Sequence, residues 1–190
     1  ANNTKYLKEH LKLKAPIKVA IGQDMRGSSP FLAREAVRAL NDQDIDVIDL
    51  GLVPTPAFYY AVAFKDLSGG IMITASHQPK EYNGLKLCVA KAVPVALGSG
   101  LEKIQELALA AAPDKPRGHG AFQSLPNVTQ EYVKQELSYL NSARIKKFKI
   151  AADPANAMGG LYLEELFKAI SCEPVKINWE LNGNMPIHEA

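Results

Sequence analysis

Residues 69–86, GGIMITASHQPKEYNGLK, pass from a short apolar run into a polar, turn-rich loop carrying a serine, a histidine and two lysines. Residues 70–74 are rich in β-branched and apolar side chains and have turn formers on both sides, which predicts a buried strand. Ligands of open α/β sheets bind outside the carboxyl ends of the strands, so this strand should deliver Ser76 to a crevice. A hydroxyl placed there can accept a phosphoryl group.

Outward from that loop, strands and helices alternate. Residues 17–21 form a strand followed by the loop GQDMRGSSP, and Ser29 as N-cap with Pro30 at the first helical position opens a helix to about Leu40. Residues 45–50 are the next strand, and Thr55 with Pro56 repeats the cap-plus-proline signal for a helix ending near Phe64. Beyond the loop, residues 84–89 read as a fourth strand that pairs back antiparallel. Leu101, Ile104, Leu107 and Ala108 share a helix face, residues 113–120 form an exposed connection, and Tyr132, Val133, Leu137 and Leu140 mark another helix. Residues 4–13 have the spacing of a short amphipathic helix.

The alternation restarts after Lys147 with FKIAADPANAMGG, a helix over residues 161–170 and a strand over 174–177. Strands separated by helices imply parallel pairing with right-handed crossovers. The fold class is α/β: a mixed, mainly parallel sheet with flanking helices over residues 1–141, then the start of a second, similar α/β domain over 142–190. The roughly 45 residues after Lys147 bury too little surface to close a core, so the second domain is expected to be incomplete.

The chain has 190 residues, 47% of them hydrophobic, enough for one core and part of another. Its 22 basic and 20 acidic residues are interspersed and leave a net charge of +2, so neither nucleic acid nor a membrane surface is expected as a partner. The most apolar long stretch, residues 52–64, contains Pro54 and Pro56 and is too short to span a bilayer. The opening ANNTKYLKEH has no signal-peptide or transit pattern, and Cys88 and Cys172 make neither a disulfide framework nor a metal-binding spacing. The cytoplasm is the expected compartment.

The adjacent Ser76 and His77 invite comparison with a serine hydrolase, but neighbours in an extended segment point to opposite sides, and a triad draws its histidine from elsewhere in the fold. The G-x-S-x-G elbow is absent as well. A phosphoserine accounts for more of the neighbourhood. Such a group carries nearly two negative charges and needs donors, which His77, Lys80, Lys86 and the amides of a glycine-containing turn can supply. If the 79–84 loop folds back, Lys86 approaches the transferred group, and a desolvated lysine there would have a lowered pKa suited to proton transfer.

TASHQP followed by EYNGLK resembles, in order and spacing, the T-A/G-S-H-N-P and D-Y-N-G-x-K signature of the α-D-phosphohexomutase superfamily, the phosphoglucomutases and phosphomannomutases. IGQDMRGSSP is similar to that family's G-R-D-x-R-x-S segment, GLVPTPAFYYA to its G-x-x-x-T-P-x-x-x-x-A helix, and ADPANAMGG to the D-x-x-N-G-x-G-G opening of its second domain. The wording is closer to the phosphomannomutase/phosphoglucomutase branch than to the phosphoglucosamine mutases. The resemblance implies a mutase that interconverts hexose 1- and 6-phosphates, of glucose or mannose, through a phosphoserine and a hexose bisphosphate. Ser76 matches the phosphorylated serine, which also gives one oxygen to Mg²⁺. Lys86 matches the general acid/base lysine and His77 the signature histidine near the phosphate. Arg26 is expected to line the cleft and steady the phosphoserine, with Asp24 orienting it.

Departures accompany the match. Gln78 stands where asparagine is usual and Ala157 where glycine is usual. Neither the family's G-T-x-G-x-R-G segment nor its D-x-D-G-D-R metal loop occurs in this sequence, so the other Mg²⁺ ligands are expected downstream and these 190 residues alone are expected to be inactive. A non-catalytic sugar-phosphate-binding or regulatory relative is the alternative.

Overall fold

Residues 16–110, 118–140 and 146–187 are described by a computed structural model. Three strands, β1 (Lys18–Gln23), β2 (Asp46–Leu52) and β3 (Gly69–Ile73), form the middle of a six-stranded sheet. β1 pairs in parallel with β2 on one side and β3 on the other. β4 (Leu85–Val89) and β5 (Val93–Val95) extend the β3 side antiparallel, and β6 (Phe122–Ser124) adds a parallel edge to β2, giving the order β5-β4-β3-β1-β2-β6. The chain therefore reverses direction across the sheet at β1. The loops after β1 and β3 leave side by side at this switch point, where an open α/β sheet offers its crevice.

Helices cover both faces, as a mainly parallel sheet requires. Helix α1 (Ser29–Asn41) packs Leu40 and the half-buried Leu32, Ala36 and Val37 against Val19, Ile21, Val47, Ile71 and Ile73. Helix α2 (Thr55–Phe64) packs Ala57, Phe58, Ala61 and Val62 on the opposite face, against Ala20, Ile48, Met72 and Cys88. The fit on that side is close: a Cβ at Gly70 would sit 2.6 Å from Phe58 Cζ.

After helix α3 (Leu101–Ala110), helix α4 (Val128–Leu137) packs against α2 and also against α5 (Gly159–Ala169). Tyr132 on α4 lies between Tyr60 of α2 and Tyr162 of α5, with ring centroids 5.8 and 5.9 Å away. The Glu136 carboxylate accepts hydrogen bonds from both the Tyr132 and Tyr162 phenols. Burial, reinforced by that carboxylate, pushes the Tyr162 phenol up to about 12. Helix α5 accompanies a separate two-stranded parallel sheet, β7 (Phe148–Ala152) and β8 (Cys172–Lys176).

The alternation, the parallel pairing and the antiparallel return of residues 84–89 agree with expectation. Ser29 does not cap α1. The cap position is Ser28, no side chain caps the helix there, and the Ser29 hydroxyl is committed elsewhere. β5 and β6 were not foreseen: each has three residues, one carries Pro94, and Phe122–Ser124 is exposed throughout, so neither shows an apolar period. The helix expected over residues 4–13 lies outside the described residues, as does most of the 113–120 connection. Among the described residues no helix is long and apolar enough to cross a membrane.

Candidate active site

The loop of residues 74–84 opens where β3 ends and closes where β4 begins, tied by the Thr74 N–H to the Gly84 carbonyl at 2.9 Å. Ser76, His77 and Gln78 are exposed at its tip. Ser76 has φ +56°, a left-handed conformation uncommon for a residue with a Cβ and costing on the order of 1–3 kcal/mol. Its N–H is held by Thr74 Oγ1 at 2.9 Å, and a second turn follows in which the Gln78 N–H reaches the Ala75 carbonyl at 3.1 Å.

That conformation brings the Ser76 hydroxyl to 3.0 Å from His77 Nδ1. The expectation that neighbouring Ser76 and His77 side chains diverge is therefore wrong: it assumed extended backbone, and the positive φ turns the serine back toward the ring. With Nδ1 unprotonated the ring accepts the hydroxyl proton; with Nδ1 protonated it donates to the oxygen. No carboxylate among the described residues orients the His77 ring, so the hydrolase arrangement is still missing its third member.

The loop is held from beneath by Arg26, whose residue is 1% exposed. A guanidinium has five N–H donors, and all five are used. Nε donates to Asp24 Oδ2 at 3.1 Å, one terminal nitrogen to the carbonyls of Pro79 (2.7 Å) and Tyr82 (3.1 Å), and the other to those of Ser76 (3.0 Å) and Gln78 (2.7 Å). Arg26 thus does not line the cleft: its fork is saturated by backbone oxygens, leaving no donor for a phosphate. It is a clamp on the loop that carries Ser76.

Asp24 sets the clamp. Its Oδ1 accepts the Arg26 main-chain N–H at 3.1 Å and the Ser29 hydroxyl at 2.6 Å while Oδ2 takes Nε, so the carboxylate is paired and hydrogen-bonded as a 4%-exposed charge must be. Asn83 completes the lattice: Nδ2 donates to the hydroxyls of Ser28 and Ser29, both at 2.9 Å, and Oδ1 accepts the Gly84 N–H at 2.8 Å. Sequence reasoning missed Ser28 and the bridging role of Asn83, which reads as half of a turn dipeptide. The available signal was the S-S pair beside D-x-R, two hydroxyls near a carboxylate and an arginine.

Lys86 is the second residue of β4, opposite Met72, half-buried on the α2 side of the sheet. It shares the wall of a cavity of about 480 Å³ with Tyr59, Pro94 and Leu101, and no hydrogen bond joins it to Ser76 or His77. The fold thus brings Ser76, His77 and Arg26 into contact and leaves Lys86 on the neighbouring strand. Lys80 and Glu81 are exposed. Among the described residues no cluster of three or more His, Cys, Asp or Glu side chains could hold a metal ion.

Comparison with known proteins gives concordant findings. The family model described as phosphoglucomutase/phosphomannomutase, alpha/beta/alpha domain I, matches residues 2–112. A phosphomannomutase/phosphoglucomutase of Pseudomonas syringae pv. tomato is 34% identical over 172 residues, covering 90% of this chain and 35% of that protein. A phosphomannomutase of Vibrio cholerae is 34% identical over 173 residues, covering 88% and 37%. The crystal structure of a phosphoglucomutase/phosphomannomutase family protein from Burkholderia thailandensis superposes with a TM-score of 0.76 at 27% identity, covering 99% of this chain and 41% of that one. The chain spans little more than a third of the length of the curated relatives it matches.

Proposed function

Because this chain belongs to the phosphoglucomutase/phosphomannomutase family, we propose that it supplies the phosphoserine end of a hexose-phosphate mutase site, and that the full-length protein interconverts the 1- and 6-phosphates of glucose or mannose. Residues 1–141 are taken as the first domain and residues 142–190 as the start of the second, in a cytoplasmic enzyme. The observation that carries the reading is Ser76: an exposed hydroxyl in a strained conformation, fixed by a buried arginine that grips four carbonyls of its loop. Strain over-determined by its surroundings is what a pre-positioned reacting group requires.

In this reading, phosphorylated Ser76 gives its phosphoryl group to the free hydroxyl of a bound hexose monophosphate. The bond from phosphorus to Ser76 Oγ breaks as the bond to the sugar oxygen forms, and the sugar hydroxyl's proton passes to the Lys86 amine. The resulting bisphosphate returns its other phosphoryl group to Ser76, and Lys86 gives the proton back to the sugar oxygen. Such transfer depends on positioning and on neutralising charge, and with Arg26 saturated the side chains proposed to serve it are His77 and Lys80 of the loop and Lys86 of the neighbouring strand. Mg²⁺ demands several hard oxygen ligands, and the described residues offer it one phosphate oxygen on Ser76 and no carboxylate cluster. They do not fit the ion by themselves, so no step here runs through it, and its other ligands are proposed to come from outside this chain.

Mass spectrometry of the purified full-length protein tests the reading. A phosphate on Ser76 that glucose or mannose phosphate discharges is expected, with Ser76→Ala inactive and residues 1–190 alone no faster than that variant. A Ser76→Ala protein that isomerises hexose phosphates normally would sink the proposal. Absence of any labile phosphate would favour the non-catalytic sugar-phosphate-binding relative.

A further inference from the structure

The segment ADPANAMGG takes no part in the chemistry above, yet it organises a contact that reaches the Ser76 loop. Asp153 Oδ2 accepts a hydrogen bond from Asn178 Nδ2 at 2.8 Å, and its Oδ1 accepts the Ala155 N–H at 2.8 Å. Asn156 grips the chain further on: its N–H donates to the Asn178 carbonyl (2.7 Å), its Nδ2 to the Glu180 carbonyl (2.8 Å), and its own carbonyl accepts the Asn182 N–H (2.9 Å). The turn that follows is closed by the Met185 N–H donating to the Asn182 carbonyl (3.0 Å) and the Asn184 N–H donating to Asn182 Oδ1 (3.0 Å).

This turn abuts the backbone that presents Arg26. A Cβ on Gly183 would stand 2.4 Å from the Met25 carbonyl oxygen, 3.0 Å from the Gly27 nitrogen and 3.1 Å from Arg26 Cα. All three atoms are backbone, so no flexible side chain can yield. On its other side the turn faces the Ser76 loop across a cavity of about 200 Å³ lined by Asn184 and Met185 together with Pro79, Lys80 and Glu81.

We propose that residues 182–185, anchored by Asn156, form a brace that fixes the height of Arg26 and through it the position of Ser76. Gly183 and Asn156 are then positioning residues for the phosphate-accepting hydroxyl, although neither approaches it. The physical basis is contiguity: the Asn156 hydrogen bonds, the close approach of Gly183 to the Met25–Arg26–Gly27 backbone and the Arg26 hydrogen bonds to four loop carbonyls are successive links. Relieving a 2.4 Å approach of a Cβ at Gly183 to the Met25 oxygen requires a displacement of about 1 Å, a scale at which positioned groups lose up to about a hundredfold in rate.

The catalytic consequence rests on the proposed mutase reading, whereas the mechanical coupling is measured without it. Hydrogen–deuterium exchange is followed in the full-length protein for Gly183→Ala and Asn156→Ala. Peptides covering residues 76–83 are expected to exchange about threefold faster or more in Gly183→Ala, and by a smaller factor in Asn156→Ala, with β1 and β3 unchanged. In Gly183→Ala kcat should fall about tenfold to a hundredfold while KM stays within about twofold. Unchanged loop exchange in both variants, exchange raised equally everywhere, or faster loop exchange with an unaltered kcat overturns the proposal. Asn156→Ala removes only the Nδ2 bond to the Glu180 carbonyl and keeps both main-chain bonds, so if Gly183→Ala does not fold, a smaller but measurable rise in exchange over residues 76–83 with a lowered kcat is expected of Asn156→Ala, and its absence overturns the proposal. Faster loop exchange in variants of a protein that transfers no phosphate at all would remove the mutase reading and leave the brace standing.

Discussion

Replacing Arg26 by alanine separates a clamp from a substrate-binding arginine. The residue is 1% exposed and its five donors end on one carboxylate and four carbonyls. Charge-assisted hydrogen bonds are worth about 1.5–3 kcal/mol each, but a simple sum overshoots, because water can reach carbonyls of a loop whose tip is exposed. The buried pair sets the scale: removing one partner leaves Asp24 uncompensated and costs about 3–5 kcal/mol, a large share of the 5–15 kcal/mol that holds a typical domain together. Urea unfolding of the full-length protein, followed by circular dichroism, should show that loss for Arg26→Ala. Arg26→Lys should fall between, since an ammonium offers three donors in place of five. If the full-length protein is the proposed mutase, its turnover should drop at least about a hundredfold in Arg26→Ala with little change in KM, because every donor of the arginine is spent on Asp24 and the loop. A stability loss under about 1 kcal/mol together with a large rise in KM would refute the reasoning and return Arg26 to the cleft.

Further outcomes follow from the same geometry. Gly70→Ala forces a methyl to within 2.6 Å of Phe58 Cζ and should destabilise the protein by about 1–3 kcal/mol, while an unchanged unfolding midpoint would mean that α2 retreats without cost. Burial holds the Cys88 thiol up at about 11 against its ordinary 9.0, and the folded state therefore favours the protonated form. The stability this gives is intact below about pH 9 and is lost as pH rises toward 11, with Tyr162 following from 10.0 toward about 12, so calorimetric Tm should decline through that window and a flat profile would refute the assignment. On the proposed mutase reading, in which Mg²⁺ takes most of its ligands from outside this chain, chelation by EDTA should abolish turnover of the full-length protein; because the described residues offer no carboxylate cluster, it should leave the exchange pattern of residues 74–84 unchanged, and loss of loop protection on chelation would show that the metal builds the loop.

The layout was readable where a signal repeats. Strand composition, the proline-opened helices and the return of β4 all follow from local pattern, and Ser76 stands out as a candidate because turn residues crowd around it. Contacts across long sequence separations left no such trace. Arg26 lies 50–56 residues from the carbonyls it holds, and its burial depends on β1 and β3 pairing side by side, which no local window records. Ser29 shows the same limit, since a cap motif and a hydroxyl recruited by Asp24 share one spelling. The divergence expected of Ser76 and His77 failed because periodicity predicts extended backbone and has no means of forecasting a positive φ at a serine. Asn83 beside Gly84 spells a turn, and nothing local shows an amide that reaches Ser28 and Ser29 across the loop.

The small sheet of β7 and β8 has a consequence for anyone handling this polypeptide. Its two strands have no other partner among the described residues, and Phe148, Val175 and Ile177 are 56%, 40% and 43% exposed. An open ladder beside apolar side chains is a template on which a second molecule can continue the pairing. In concentrated solution, copies of this chain are expected to adhere first along that open ladder, and a pair of copies joined there would share one continuous four-stranded ribbon.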